Sequence, residues 1–296
     1  MRREASCDVL VAGHGAAGCV AGARLASFGL KVTVLGCGTS ATALSTGRIF
    51  FPGEGEAVQA PMGFLREHGA PWGLFQGPVR LREARTNLGT ISAQTLSSGH
   101  EWTVGDDEVA ALGLVGNSDL EPDLLRASAS RSPRPAEVVP YWTDPRPWPR
   151  DRGGIIDALS TVLSDLSQEN VVVPPLFPEQ DWHTALDQIE RRSGRKVCEA
   201  TTPLSFPGQR LQSCLEEAAV RCGCTLLKDR QLADVDLNGR EAVSATVMSG
   251  IREVRMEFRV LILACGNLIA GGLATDGSMV REPLLALSIK ESRAKR

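Results

Sequence analysis

The sequence of 296 residues lacks an excess of charge of either sign: 32 basic and 35 acidic residues give a formal net charge of -3. It therefore offers no basic stripe for nucleic acid and no polybasic segment for anionic lipid. It also lacks a long hydrophobic run, because the longest one, at 260–277, is rich in glycine and is broken by Asn267. These absences predict a soluble chain without a nucleic-acid partner, acting on a small neutral or anionic molecule.

Zinc-like ligand patterns are missing as well. The CxC at 222–224 has no second Cys or His pair at the spacing of a zinc site, so no metal is predicted. A chain of this length does not need a disulfide framework, and Cys7, Cys19, Cys37 and Cys265 lie in apolar or glycine-rich stretches. We expect buried free thiols and a reducing compartment.

The start of the chain has the pattern of a βαβ unit. Residues 8–13 are typical of a buried parallel strand, 16–28 of a helix with small residues on one face, and 31–36 of a second strand. The first strand runs into GHGAAG, which matches the GxGxxG pattern of dinucleotide-binding folds. A glycine-rich tight turn without any ligand is the alternative.

Each glycine of this motif has a predicted task. Gly13 lets the chain turn off the strand, Gly15 lets the backbone approach a pyrophosphate, and Gly18 lets the helix pack close to the sheet. The helix then begins at Ala16 and Ala17, where unpaired N–H groups stabilise phosphate charge. The second strand departs from the usual pattern, because Gly-Cys-Gly follows it instead of the Asp or Glu that binds an adenosine ribose.

The rest of the chain predicts an α/β fold: a Rossmann-like FAD/NAD(P)-binding domain interrupted by a second α/β domain. We assign residues 1–75 and 205–296 to the nucleotide-binding domain and 76–204 to an inserted substrate or cap domain. Within the insertion, 153–168 and 182–194 predict helices, while the Pro/Arg-rich stretch 130–154 predicts a stiff loop.

Six further predicted elements follow the insertion or lie close to the ligand. The stretch 40–63 is rich in Ser, Thr and Gly, predicting a loop around a ligand with a helix near 61–68. Residues 209–223 predict an amphipathic helix, and 224–237, 241–250 and 253–267 predict strands. Thr39 and Ser40 could supply part of the missing ribose recognition.

The strand that ends in Ala264-Cys265-Gly266 resembles the ATG segment that flavoproteins pass beside the dinucleotide, which favours a flavin over NAD. Together with SATALSTGRIFF, LGT, PLSFPGQRLQSCLEEAAVRCG and LACGNLIAGGLATDGSMVREPLLAL, it makes the chain similar to the B subunit of anaerobic glycerol-3-phosphate dehydrogenase. That family belongs to the succinate dehydrogenase and fumarate reductase flavoprotein class.

The resemblance implies FAD or FMN as cofactor and oxidation of sn-glycerol 3-phosphate to dihydroxyacetone phosphate, with electrons passed toward quinone. It further implies a catalytic partner subunit, a membrane-anchoring iron-sulfur subunit, and a cytoplasmic location at the inner face of the membrane through those partners. Flavoproteins of this class continue past REPLL to a last strand and a glycine turn, so we expect an incomplete cofactor site in the present sequence. A non-catalytic assembly module and a NAD-dependent enzyme are the alternatives.

The site residues that we predict fall into two groups. The cofactor contacts are Gly13, Gly15, Ala16, Ala17, Gly18, Ser40, Ser45, Thr46, Gly47, Ala264 and Gly266. Arg48 and Arg281 are the predicted phosphate contacts to the substrate, because a guanidinium binds phosphate in a bidentate manner. Arg281 could pair with Glu282 instead. No general base emerges, and His14 and His183 are more typical of a spacer and a helix-surface residue.

Overall fold

The computed structural model describes residues 3–48, 56–74, 82–86, 88, 91–95, 99–103, 108–144, 148–200, 204–268 and 270–289. They form two compact units, one made of Met1–Ala43 and Gln212–Arg296 and the other of Leu44–Leu211. The fold is mixed α/β with parallel sheets in both units. None of the helices in these ranges has the length and hydropathy needed to cross a membrane.

The first unit is made mainly of strands. Its elements are β1 Arg3–Ser6, β2 Val9–Ala12, α1 Ala16–Ala26, β3 Val32–Leu35, β10 Thr225–Leu227, β11 Gln231–Asn238, β12 Glu241–Ser249, β13 Arg252–Glu257, β14 Val260–Leu263, β15 Ala274–Thr275, β16 Val280–Glu282 and β17 Leu287–Ser288. They form a parallel sheet in the order β10-β3-β2-β14, a mixed sheet in the order β1-β13-β12-β11 and a small antiparallel sheet, β15-β16-β17. Helix α6, Phe206–Arg221, crosses from the second unit into the first.

Burial explains why the first strands form where they do. Every residue of β2 and β3 is buried, as expected of central strands in a sheet covered on both faces. Helix α1 approaches β3 closely because Gly22 has no side chain: a Cβ there would lie 2.8 Å from Val34 Cγ2. An apolar cluster supports this sheet and contains Cys7, Leu10, Leu35, Val235, Ala245, Val247, Met256 and Phe258.

The second unit alternates strands with helices. Its elements are α2 Glu56–Gly69, a 3-10 turn Ala70–Trp72, β4 Arg82–Arg85, β5 Ile91–Thr95, β6 Glu108–Gly113, α3 Pro122–Ala129, β7 Glu137–Trp142, α4 Arg152–Ser164, β8 Asn170–Val173, α5 Trp182–Ser193 and β9 Lys196–Glu199. It is built on an all-parallel sheet in the order β7-β6-β8-β9, preceded in sequence by a β4-β5 hairpin. Leu204 N donates to Leu44 O at 3.1 Å, which brings the residues just before α6 next to the start of this unit.

A buried ion pair lies in the second unit. The Arg210 guanidinium donates to both carboxylate oxygens of Glu199 at 2.7 Å and to Phe177 O at 2.8 Å. It also stacks over the Trp182 ring at 4.2 Å. Arg210 is 1% exposed, so the pair fixes this end of α6 within the unit.

Several predictions are confirmed and others are corrected. The βαβ start and the helices near 61–68, 153–168, 182–194 and 209–223 are confirmed, with ends that differ by a few residues for most. The stretch 130–154 is not one loop: it contains strand β7 and the start of α4, and its Pro140 is tolerated because β7 is an edge strand. The predicted strands 224–237 and 253–267 each divide into two strands.

The two compact units have bounds that differ from the predicted domains. The first break falls after Ala43 rather than 75, because the residues that follow pack within the second unit, where Trp182 Nε1 donates to Trp72 O at 2.8 Å. The second break falls after Leu211 rather than 204. Residues 49–55 of the predicted ligand loop lie outside the described residues.

The expected burial of four cysteines is confirmed for two of them. All eight cysteines are free, and Cys7 and Cys19 are buried, but Cys37 is exposed and Cys265 is only half-buried. Cys37 follows β3 at the rim of the sheet, where no described element covers it. Burial, with a smaller contribution from the negative charge of Glu216, raises the pKa of the Cys19 thiol to about 12.

Candidate functional site

A cavity of about 750 Å³ opens in the first unit at the carboxyl ends of β2, β3 and β14. This is where an open parallel sheet places its ligand, in the crevice outside the carboxyl ends of its strands; here β3 and β14 flank β2 on its two sides. The volume lies within the range of small-molecule and cofactor pockets. Of the predicted cofactor residues, Gly13, Gly15, Ala16, Ala17, Ser40, Ala264 and Gly266 line this cavity.

Two glycines of the motif are required by packing within the protein. Gly13 has φ +113°, and a Cβ there would lie 2.1 Å from Ala264 O. A Cβ at Gly18 would lie 1.8 Å from Gly13 O. Strand β14, the turn and helix α1 can therefore meet only if both positions lack a side chain, and Gly18 itself does not line the cavity.

Gly15 is different. Its φ of -68° suits any residue, and a Cβ there would make only ordinary contacts, with Thr42 Oγ1 at 3.4 Å and Ser40 Cβ at 3.9 Å. No described protein atom therefore demands glycine at this position, and the missing side chain leaves space inside the cavity. Gly15 is also the N-cap of α1, which has no side-chain cap and no acidic residue in its first turn. Apart from the Ala16 N–H, which donates to Thr42 Oγ1, the N–H groups at this end of the helix and its positive dipole suit a phosphate group.

The loop after β3 is held on α1 and α6 by hydroxyl groups. Thr42 Oγ1 accepts from Ala16 N at 2.9 Å. Ser40 Oγ donates to Gln212 Oε1 at 2.5 Å and accepts from Ala43 N at 3.1 Å. Ser40 thus lines the cavity while its hydroxyl is already bonded to protein, so it shapes the wall of the site.

The chain after β14 forms the opposite wall. Ala264 N donates to Ala12 O at 2.7 Å, which continues the sheet into the loop. Gly266 has φ +88°, and a Cβ at Gly272 would lie 2.5 Å from Gly266 O. This doubled-back turn brings small residues to the cavity, among them Gly266, Gly271 and Gly272.

The predicted residues Ser45, Thr46, Gly47 and Arg48 belong to the second unit. Gly47 has φ +70°, and a Cβ there would lie 2.4 Å from Pro207 O, so its lack of a side chain has a packing reason. Burial lowers the pKa of Arg48, and the negative charge of Glu101 opposes that effect. Cofactor or substrate contacts by these residues remain a prediction.

Arg281 and Glu282 lie side by side on β16 and point to opposite faces of the strand. Glu282 is buried and lines the cavity, where its carboxylate accepts from Leu284 N at 2.8 Å and Leu285 N at 2.7 Å. The side chain of Arg281 is exposed. Its role as a phosphate contact remains a prediction.

Arg230 and His14 are lining residues whose importance the sequence did not reveal. Arg230 N donates to Gly36 O at 2.8 Å, which brings the turn after β10 against the end of β3. Among the described lining residues Arg230 alone carries a permanent positive charge. No local sequence pattern predicts that Arg230 lies in the site, because Arg230 is brought there by the pairing of β10 with β3.

The second unit holds a cluster of three possible metal ligands. His100 Nε2 lies 3.2 Å from Asp187 Oδ1, and its Nδ1 lies 3.7 Å from Glu190 Oε1. Two of these three side chains already contact Val197. The Val197 N–H donates to Glu190 Oε1, and the Val197 carbonyl oxygen lies 3.2 Å from His100 Nδ1. The bond to Glu190 connects α5 to β9, and the contact with His100 adds the segment 99–103, so the cluster is accounted for as a structural contact.

The stretch of sequence that contains the glycine motif matches a known family model. The family model described as FAD binding domain matches residues 8–68. FAD is therefore the cofactor, and the backbone cradle at Gly15 fits its pyrophosphate.

One curated relative extends over nearly the whole chain. It is the B subunit of the anaerobic glycerol-3-phosphate dehydrogenase of Vibrio cholerae serotype O1 (strain M66-2). The identity is 22% over 344 aligned positions, which cover 96% of this chain and 79% of the relative.

The solved structures to which this chain is similar have lower sequence identities to it. They include a myxobacterial chondrochloren halogenase of the FAD-dependent type (13% identity, TM-score 0.39, 89% of this chain and 38% of that one). The 3-ketosteroid-Δ4-(5α)-dehydrogenase of Rhodococcus jostii RHA1 has 15% identity and a TM-score of 0.35, and the match covers 90% of this chain and 49% of that one. The L-amino acid deaminase of Proteus vulgaris has 13% identity and a TM-score of 0.38, and the match covers 90% of this chain and 48% of that one. The chain spans less than half the length of these three structures.

Proposed function

We propose that the chain is the flavin-binding subunit of a dehydrogenase that oxidises sn-glycerol 3-phosphate to dihydroxyacetone phosphate and passes electrons toward quinone. The observation that carries this proposal is the cavity at the carboxyl ends of three parallel strands, with Gly15 left without a side chain toward it. Similarity to a subunit of anaerobic glycerol-3-phosphate dehydrogenase along 96% of the chain supports the choice of substrate.

Binding and orientation are the tasks of this chain's own residues. The N–H groups at the start of α1 and the backbone at Gly15 hold the pyrophosphate, while the turn from Ala264 to Gly266 passes along the dinucleotide. Bound FAD supplies the hydride-accepting chemistry. Contacts of Arg48 and Arg281 to a substrate phosphate stay predictions, because neither residue lines the cavity.

The named relative is one subunit of a larger enzyme, and we propose the same for this chain. Its partners would be a catalytic subunit and an iron-sulfur subunit that anchors the complex at the inner face of the membrane. A partner would also supply groups for catalysis that the cavity does not offer.

A non-catalytic binding module is the second candidate, and one observation favours it. Glu282 is the one carboxylate among the described lining residues, and both of its oxygens accept backbone N–H groups. It is therefore poorly placed to take a proton from a substrate hydroxyl.

Anaerobic reduction of the bound flavin separates the two candidates. The full chain, loaded with FAD, is mixed with sn-glycerol 3-phosphate, and the visible flavin band is followed. We expect the band to bleach, with glycerol as the control that lacks the phosphate. A band that persists with excess substrate, although dithionite bleaches it, would support the binding module and contradict the dehydrogenase.

A further inference from the structure

The ring of His14 fills the space that the side chain of residue 36 would take. His14 is 8% exposed and lines the cavity. A Cβ built on Gly36 would lie 2.5 Å from both Cγ and Nδ1 of His14. Gly36 directly follows β3, the point at which dinucleotide-binding sheets place a carboxylate for the adenosine ribose. The imidazole therefore stands where that missing carboxylate would be.

The other nitrogen of the ring faces an acid. His14 Nε2 lies 3.6 Å from Glu216 Oε1. Glu216 is held in place by Lys228 Nζ at 2.5 Å and by Gln212 Nε2 at 2.7 Å. A carboxylate on this side favours the tautomer that carries its proton on Nε2. Nδ1 is then an acceptor, and within the part of the chain that the structure describes no protein group bonds to it.

The backbone of His14 is fixed as firmly as its ring. Its carbonyl accepts from Gln212 Nε2 at 2.6 Å and from Cys19 Sγ at 2.9 Å. The Gln212 amide is thereby saturated, because both of its protons and its oxygen, which accepts from Ser40 Oγ, are used. Such a network orients the ring before any ligand arrives.

We propose that His14 recognises the adenosine ribose of FAD, with Nδ1 accepting a hydrogen bond from a ribose hydroxyl in place of the missing acid. Glu216 is a positioning residue that sets the tautomer of the ring. This inference rests on the proposed placement of the dinucleotide in the cavity, and it names the group that reads the ribose there.

Two nucleotides that differ only in the ribose hydroxyls test the inference. Binding of ADP and of 2′,3′-dideoxy-ADP to the full chain, freed of flavin, is measured by calorimetry. We expect the wild-type protein to prefer ADP by roughly 3- to 10-fold, the range for one net hydrogen bond. His14→Phe keeps a ring above Gly36 and removes the acceptor, so this preference should fall toward one.

A matched control exists in the second unit. His183 also lies over a glycine, since a Cβ on Gly73 would lie 2.3 Å from His183 Nδ1. His183→Phe should therefore keep the wild-type preference for ADP. An unchanged preference in folded His14→Phe would overturn the inference, whereas a wild-type chain that binds neither ADP nor FAD would overturn the proposed placement of the dinucleotide.

Glu216→Gln is nearly isosteric and serves as the second variant, also if His14→Phe does not fold. It should lower the preference for ADP in the wild-type background and leave it unchanged in the His14→Phe background, because Glu216 acts through the ring. A preference that stays at the wild-type value in Glu216→Gln, or that falls equally in both backgrounds, would refute the positioning role.

Discussion

Substituting Gly15 by valine should abolish tight FAD binding while leaving the fold intact. At this position φ is -68° and the nearest atom to an added Cβ is Thr42 Oγ1 at 3.4 Å. Valine is a poorer N-cap than glycine by up to about 1 kcal/mol, but it reduces the entropy of the unfolded chain by about 0.4 to 1 kcal/mol. The free energy of unfolding should therefore change by less than about 1 kcal/mol.

The loss of binding should be much larger. The branched side chain extends into the cavity beside the N-terminus of α1, where it separates the pyrophosphate from one or two backbone N–H donors. Each hydrogen bond to a charged group contributes about 1.5 to 3 kcal/mol. The dissociation constant for FAD should therefore rise by at least about 10-fold, and by more than about 100-fold if two contacts are lost.

Two other glycine substitutions make the experiment specific. Gly63→Val is the matched control, because Gly63 is an exposed residue of α2 with no neighbouring atom within 4 Å of an added Cβ. Gly13→Ala should destabilise the protein by about 2 kcal/mol or more, since φ +113° and a contact of 2.1 Å with Ala264 O both oppose it. Flavin fluorescence titration gives the affinity and urea unfolding gives the stability.

The result that would refute this reasoning is a folded Gly15→Val protein that binds FAD as tightly as the wild type. The dinucleotide would then not pass over Gly15. If Gly15→Val instead unfolds as Gly13→Ala is expected to do, the residue is glycine for packing and the contrast between the two positions is wrong.

Two further predictions concern buried groups. Arg210→Met should lower the free energy of unfolding by about 3 to 5 kcal/mol in urea denaturation, because it leaves the Glu199 carboxylate buried and unpaired; a loss below about 1 kcal/mol would mean that water reaches the carboxylate. The pKa of Cys19, raised by burial from 9.0 to about 12, makes its protonated form a source of stability that is complete below pH 9.0 and is lost as pH rises toward 12. Cys19→Ala should therefore show a shallower decline of unfolding free energy over that window, by up to about 1.4 kcal/mol per pH unit, and an unchanged decline would contradict the assigned pKa.

The parts of the fold that could be predicted are those specified by neighbours in sequence. Residues 8–36 contain two apolar runs, three spaced glycines and a row of small residues, and each feature constrains the others within one βαβ unit. The helices at 153–168 and 182–194 were likewise visible from their apolar periodicity. Their ends differ because Asp151 caps α4 through Gly154 N and Gly194 ends α5 in a left-handed conformation.

The parts that could not be predicted depend on contacts between distant segments. Strand β7 contains Pro140 within a Pro/Arg-rich stretch, and only its place at the edge of the sheet makes it a strand. Phe258 and Arg259 separate β13 from β14, which belong to different sheets, although the sequence there is one continuous apolar pattern. Burial of Cys37 was expected from its glycine-rich surroundings, but no described element packs over it.

The candidate site also contains residues that the sequence predicts and residues that it does not. Gly13 and Gly15 were identified by spacing alone. His14 looked like a variable position, because nothing in the local sequence shows that its ring lies over Gly36 or that Glu216 faces it. Arg230 was equally invisible until β10 paired with β3.

The hydrogen bond between Leu44 and Leu204 bears on how such a chain can be rebuilt. Leu44, where the polypeptide enters the second unit, accepts from Leu204 N at 3.1 Å, so the residues between these two positions start and finish at neighbouring points. Bridging that gap takes only a tight turn, and the entropy of closing a loop grows by only about 0.6 kcal/mol for each doubling of its length. A shorter, longer or unrelated cassette could therefore be exchanged at this junction without a change in the register that joins β2 to β3 and β14.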